Sequence, residues 1–242
     1  MQFHFPRPTH GWQEFAGEVA IIVLGVLIAL GLGEIVGSVH DRASEAETRA
    51  SIRDEVRINL QVMILRNGSE ECLQNRLREI DAYLDASERG QRPARLTWIG
   101  APYAPLLSHA NFQSAQNTGK FMLLPPAEQR QLASFYVPFD DFNEANTREW
   151  YDWAQLRILA KISGPLRPET IDRLREAAQD ARAADALIRI DLTQALDRGG
   201  TFGKLANLHG DRYQTASVCL PSNMPYAQAA KLAGSSRLPF PG

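Results

Sequence analysis

Three acids, Asp140, Asp141 and Glu144, have the spacing best suited to chemistry in this chain. On a helix they share a face, and oxygen ligands so placed suit a divalent cation, as a metal-dependent hydrolase would require. Acids at a helix start are also favourable without any ligand, because they face the positive end of the helix dipole. Glu149 and Asp152 follow on the same segment. The histidines offer less: none of His4, His10, His40, His109 and His209 lies three or four positions from another histidine or a cysteine, so no local metal motif exists. His109, Asn111 and Gln113 read equally as a polar pocket or a surface helix. Trp150, Tyr151 and Trp153 read as a ligand groove or, more simply, as core or helix-packing surface. No glycine-rich phosphate loop, nucleophile elbow or kinase signature occurs. These residues point to no catalytic centre, no metal site and no cofactor, and so to no enzyme.

Cys72 and Cys219 are too far apart for a zinc-finger spacing and too few for a disulfide scaffold. They could form one long-range disulfide in an oxidising compartment, or remain two buried thiols. With 26 Lys and Arg against 28 Asp and Glu, the formal charge of -2 gives no basic excess for nucleic acid.

The element around which everything else must be placed is Phe15 to Val39, FAGEVAIIVLGVLIALGLGEIVGSV. Val19 to Gly33 contains no charged or strongly polar side chain, and Glu18 and Glu34 bracket it near the depth where carboxylates reach headgroups. Trp12 and Phe15 fall where interfacial aromatics are expected. The stretch reads as a single membrane-spanning helix; a buried helix of a soluble domain is the alternative. Gly25, Ala29, Gly33 and Gly37 recur every fourth position, the pattern that lets a second transmembrane helix approach closely. The expected partners are therefore the lipid bilayer and another transmembrane helix, in a homo-oligomer or a larger membrane complex. Arg42, Arg49, Arg53 and Arg57 after the span, against Arg7 before it, lean toward a cytoplasmic domain. A Cys72–Cys219 disulfide would indicate the periplasmic side, and the side stays open.

The spacing predicts an all-α chain in which the transmembrane helix continues as an amphipathic stalk into a helical bundle. Residues 1–14 form an N-terminal tail, 15–39 the span, 40–228 the helical domain, and 229–242 a loosely held tail. Ile52, Val56, Leu60 and Met63 mark the stalk's apolar face. Asn67-Gly68 is expected to stop it, with Ser69 capping the next helix, so that the two form an antiparallel pair. Further helices are expected over Leu106 to Gly119, Pro126 to Tyr136, Phe139 to Ile162 and Arg167 to Leu196, with a short one near Phe202 to Leu208. No segment alternates with period two, which disfavours a sheet.

Glu18, the run Ile21 to Leu30, and the charged helix holding Ile52-Arg53-Asp54-Glu55-Val56 and Asn59-Leu60 form one pattern. Phe112 to Gly119, Leu123-Leu124-Pro125 and Leu132 to Tyr136 extend it. In order and spacing, residues 12 to 160 resemble a family of bacterial single-span membrane proteins with a helical domain of unknown function. Gly31-Leu32-Gly33-Glu34 departs from that pattern, where many members carry Asn and Trp. The resemblance implies the bacterial inner membrane and supplies no catalytic residue. A membrane-anchored structural or interaction protein is expected, such as an accessory subunit of a membrane complex. The alternatives are a ligand-binding or sensing module signalling through the span, and a hydrolase using Asp140, Asp141 and Glu144.

Overall fold

A computed structural model describes residues 11–199 and 217–235. It is all-α, with no strand among the described residues. Helix α1, Trp12–Gly68, is 57 residues long and contains no proline, so at 1.5 Å per residue it extends about 86 Å. Among its described side chains, Ser44 is the first buried one along it. Its apolar window has a mean hydropathy of 2.7 with none of it covered, making it long and apolar enough to cross a membrane. Beyond Ser44 the same helix turns into a core element, with Ile52, Val56, Leu60 and Met63 almost fully buried.

Ser69 separates α1 from α2, Glu70–Glu88, but does not reverse the chain. Its backbone stays in the right-handed helical region (φ −91°, ψ −2°), and Leu73 N–H already donates to Ser69 O at 3.0 Å. The expected antiparallel pair is therefore not formed. Nor does Ser69 cap α2, because its hydroxyl turns back and donates to Arg66 O at 2.8 Å. A helix can pass through Asn67-Gly68 when later packing holds it straight, and α6, Pro168–Gly199, does so. Residues 188–195 of α6 pack on the α1 part and residues 174–185 on α2, antiparallel to both.

Helix α5, Phe139–Leu156, lies antiparallel to α6 in the most extensive helix pairing of the fold. It gives way to a 3-10 turn, Arg157–Lys161, rather than continuing helical to Ile162. Helices α3, Ala110–Asn117, and α4, Pro126–Tyr136, cover the end of the bundle nearest the exposed half of α1. Helix α3 is shorter than the sequence spacing predicts. Asn143 and Asn59 hold Leu107 and Ser108 extended, each pairing with a backbone N–H and C=O, so residues before Ala110 cannot join the helix. Helix α7, Tyr226–Ser235, follows the 3-10 turn Ser217–Cys219 and buries Ala229, where the chain was expected to loosen. The helix expected near Phe202 to Leu208 lies outside the described residues.

The core forms two clusters. The first joins Ile52 to Met63 with α3, α4, Phe139, Phe142, Ala145 and the Ile188–Ala195 part of α6. The second joins Leu73 to Leu84 with Trp153, Leu156, Ile171 to Ala181 and Val218. Between them every long helix carries a polar side chain inward.

Candidate functional site

That polar layer is the most unusual feature of the domain. Arg66 from α1, Glu149 from α5 and Asp185 from α6 are each at most 1% exposed. Arg66 Nη2 donates to Glu149 Oε1 at 2.9 Å and Oε2 at 3.1 Å, and to Asp185 Oδ1 at 2.7 Å. Glu70, in the first turn of α2, brings a third carboxylate 3.7 Å from Arg66 Nη1. Gln74 Nε2 bridges Glu70 Oε1 and Asp185 Oδ2 at 3.1 and 2.9 Å. Arg189, half-exposed, stands 3.7 Å from Glu70 and 3.6 Å from Asp185. Burial pushes the Glu149 carboxyl up to about 7, against the pull of Arg66 and with Asp185 and Glu70 adding to the rise. Burial, then Asp185, also raises Glu70. Arg66 Nε and Nη1, Glu70 Oε2, Asn146 Oδ1 and Trp153 Nε1 make no hydrogen bond with other described residues.

A second buried acid, Glu55 of α1, has a structural task. Its carboxylate accepts from Tyr136 Oη at 2.7 Å, Ser108 Oγ at 3.0 Å, and the backbone N–H groups of Asn111 and Phe112 at 2.8 and 3.3 Å. It thus satisfies the open N-terminus of α3 from another helix, where a negative charge also meets the dipole. Burial and that carboxylate hold the Tyr136 hydroxyl protonated well above its ordinary range.

The third cluster ties the C-terminal segment to α2. Cys72 is bonded to Cys219. One turn on, the Arg76 guanidinium donates to the carbonyls of Trp98, Ile99 and Leu220. Trp98 Nε1 donates to Ser217 O at 2.7 Å, and Val218 N–H to Ala101 O at 3.1 Å. Gly100 permits this approach. It has φ +75°, and a Cβ there would sit 2.3 Å from Ser217 O.

The acids with the most promising spacing do not converge. Asp140 is exposed, with His109 Nδ1 at 3.7 Å, and Glu144 pairs with Arg148 on the surface. No group of three metal-ligating side chains forms among the described residues. His109, Asn111 and Gln113 are not brought together: Asn111 donates to Ser51 O, His109 faces Asp140, and Gln113 is exposed. The aromatic trio divides: Trp153 is core, while Trp150 and Tyr151 face outward, with Arg157 5.4 Å over the Trp150 ring. Tyr151 does line a shallow groove of about 330 Å³ between α5 and α6, with Arg148, Asp152, Asp180 and Leu187. Burial and nearby Asp180 raise Asp152 to about 6 there.

Gly25, Ala29, Gly33 and Gly37 lie on the uncovered half of α1, and a Cβ at any of the three glycines meets nothing within 4 Å. Glu18 and Glu34 are exposed on the same half. Sequence reasoning missed Arg66, Glu149 and Asp185 as a unit, since their partners are 83 and 119 residues apart. The one local signal was Arg66 itself, three residues after Met63 on a face otherwise meant for the core. Fold and site together define an all-α bundle built on a long apolar N-terminal helix and divided by a buried ionic layer. No family model, curated protein or solved structure matches the chain.

Proposed function

We propose that this is a single-pass membrane protein whose helical domain acts by binding other proteins, as an accessory subunit of a membrane complex, and not as an enzyme. The observation that carries the reading is α1: an apolar window of mean hydropathy 2.7, none of it buried, runs without a break into the core of the domain. In water that surface would be far larger than a monomer tolerates. A bilayer accounts for it, and the small residues at 25, 29, 33 and 37 suit a second helix within that bilayer. The family resemblance over residues 12 to 160 favours the same reading and the bacterial inner membrane.

The Cys72–Cys219 bond favours the periplasmic, oxidising side for the domain. Four arginines soon after the span pull the other way. The proposed placement takes the bond as the stronger signal, because thiol pairs are kept reduced in the cytoplasm. A sensing role is the second reading, and Arg66 favours it: the helix that carries the span also carries the cation at the centre of the buried layer.

Copurification tests the proposal. The protein is extracted in mild detergent from its own membranes, and whatever remains attached after size separation is identified with its stoichiometry. A fixed heteromeric partner is expected. A monomer or homodimer alone would sink the subunit reading and leave the sensor. Recovery of the protein in the soluble fraction would remove both.

A further inference from the structure

We propose that Arg66, Glu70, Glu149 and Asp185 form a proton-loaded latch, in which a proton held on Glu149 keeps the α1–α2 junction closed on α5 and α6. The latch lies wholly within the helical domain, whether or not α1 spans a bilayer.

Charge in the interior is the first ground. Arg66 is the one fully buried cation of the cluster, and it faces Glu149 and Asp185, also fully buried, plus Glu70, with 22% of its side chain exposed. Arg189 approaches from α6 but is half in solvent. If all three carboxyls were ionised, the layer would hold net negative charge away from water, a costly state that a bound proton relieves. Geometry is the second ground. Glu149 and Asp185 both take Arg66 Nη2, at 2.9 and 2.7 Å, Glu70 stands 3.7 Å from Nη1, and Glu70 and Asp185 share the one amide of Gln74, so three carboxyls meet on a single buried guanidinium. The charged and polar groups come from every long helix: Arg66 from α1, Glu70 and Gln74 from α2, Glu149 from α5, Asp185 and Arg189 from α6.

Loss of the proton to water turns one carboxyl into a carboxylate with no new cation to meet it. Glu70 is the group able to leave, because it alone of the three touches solvent and its Oε2 accepts no hydrogen bond from other described residues. Its departure would take the first turn of α2 off Asp185 and loosen Arg66, at the boundary between the two core clusters. The Glu149 carboxyl, pushed up to about 7, sets where this occurs.

The test uses the full chain in lipid nanodiscs, read by infrared absorption of protonated carboxyls and by backbone hydrogen exchange over residues 66–76, corrected for intrinsic pH dependence. On raising the pH from about 5 to about 9, the acid band of one carboxyl should vanish near neutrality and exchange over 66–76 should rise roughly tenfold. Glu70→Gln should move both midpoints down by about one unit or more, by removing one competing charge. Glu149→Gln should remove the transition. Absence of a buried acid band in the wild-type chain, or exchange over 66–76 that ignores pH, would overturn the proposal without any variant. An unchanged band in both variants would overturn it as well, by assigning the acid to a group such as Asp152.

Discussion

Replacing Cys72 and Cys219 by alanine opens a covalent loop with a sequence separation of 147 residues. In the chain-entropy account, closing a loop of that length removes about 5 kcal/mol of freedom from the unfolded chain, and measured losses commonly fall at 2–4 kcal/mol. The folded state keeps its own hold on the segment through Arg76, Trp98 and the buried Val218. The variant should therefore fold and lose about 3–5 kcal/mol, equivalent to roughly 10 °C in Tm for a domain of this size. Urea denaturation of the oxidised, reduced and double-alanine forms in one detergent measures it, provided the transition is two-state. The reduced and double-alanine forms should agree. A loss under about 1 kcal/mol with the segment still in place would refute the reasoning. Alkylation of free thiols in intact cells before lysis should find Cys72 and Cys219 blocked; if both react, the periplasmic placement of the domain falls.

Four further outcomes are expected. Gly100→Ala should cost about 2 kcal/mol or more, because its Cβ would collide with Ser217 O; Gly119→Ala, with the same backbone sign but open space, should cost about 1 kcal/mol by thermal melting. Arg66→Met should destabilise by about 3–5 kcal/mol in urea, leaving Glu149 and Asp185 buried without their cation, whereas Arg57→Ala at the exposed Asp54 pair should stay under about 1 kcal/mol. Because Glu149 titrates near 7 when folded and in the ordinary carboxylate range when unfolded, the folded chain holds the extra proton between those values. Stability present at acid pH should then fall as the pH rises through about 7, by roughly 3 kcal/mol in all, and Glu149→Gln should flatten that slope. In a membrane two-hybrid assay Gly33→Ile should weaken self-association while Leu30→Ile changes little, and a signal that survives Gly33→Ile would exclude the small-residue stripe.

What could be read in the chain followed its local periodicities. Ile52, Val56, Leu60 and Met63 announce a helix with one buried face, and that face is the one the bundle covers. The helical class and the apolar N-terminal helix come from the same kind of pattern. What could not be read depends on partners distant in sequence. Asn67-Gly68 carries turn residues, yet α6 packs along both α1 and α2 and keeps the chain running on. Leu107 and Ser108 have nothing in their own sequence against a helix; Asn143 and Asn59 remove them from it. Trp150 and Trp153 look alike as a cluster, but three residues on a helix separate an outer face from the core. Glu149 and Asp185 look like ordinary surface acids until Arg66 stands between them.

The bond between Cys72 and Cys219 also sets the mechanical path through the molecule. A pull between the N-terminal end of α1 and the C-terminal end loads residues 41–71, about 100 Å of chain when fully extended, and peels them away from the first core cluster. Tension then reaches Cys72 and crosses directly to Cys219, so residues 73–218 lie in a side loop that carries none of the load. Under traction the domain would shed the α1 contribution to its core yet keep α2, α5 and α6 together. Only a reductant would then bring the rest of the chain into line.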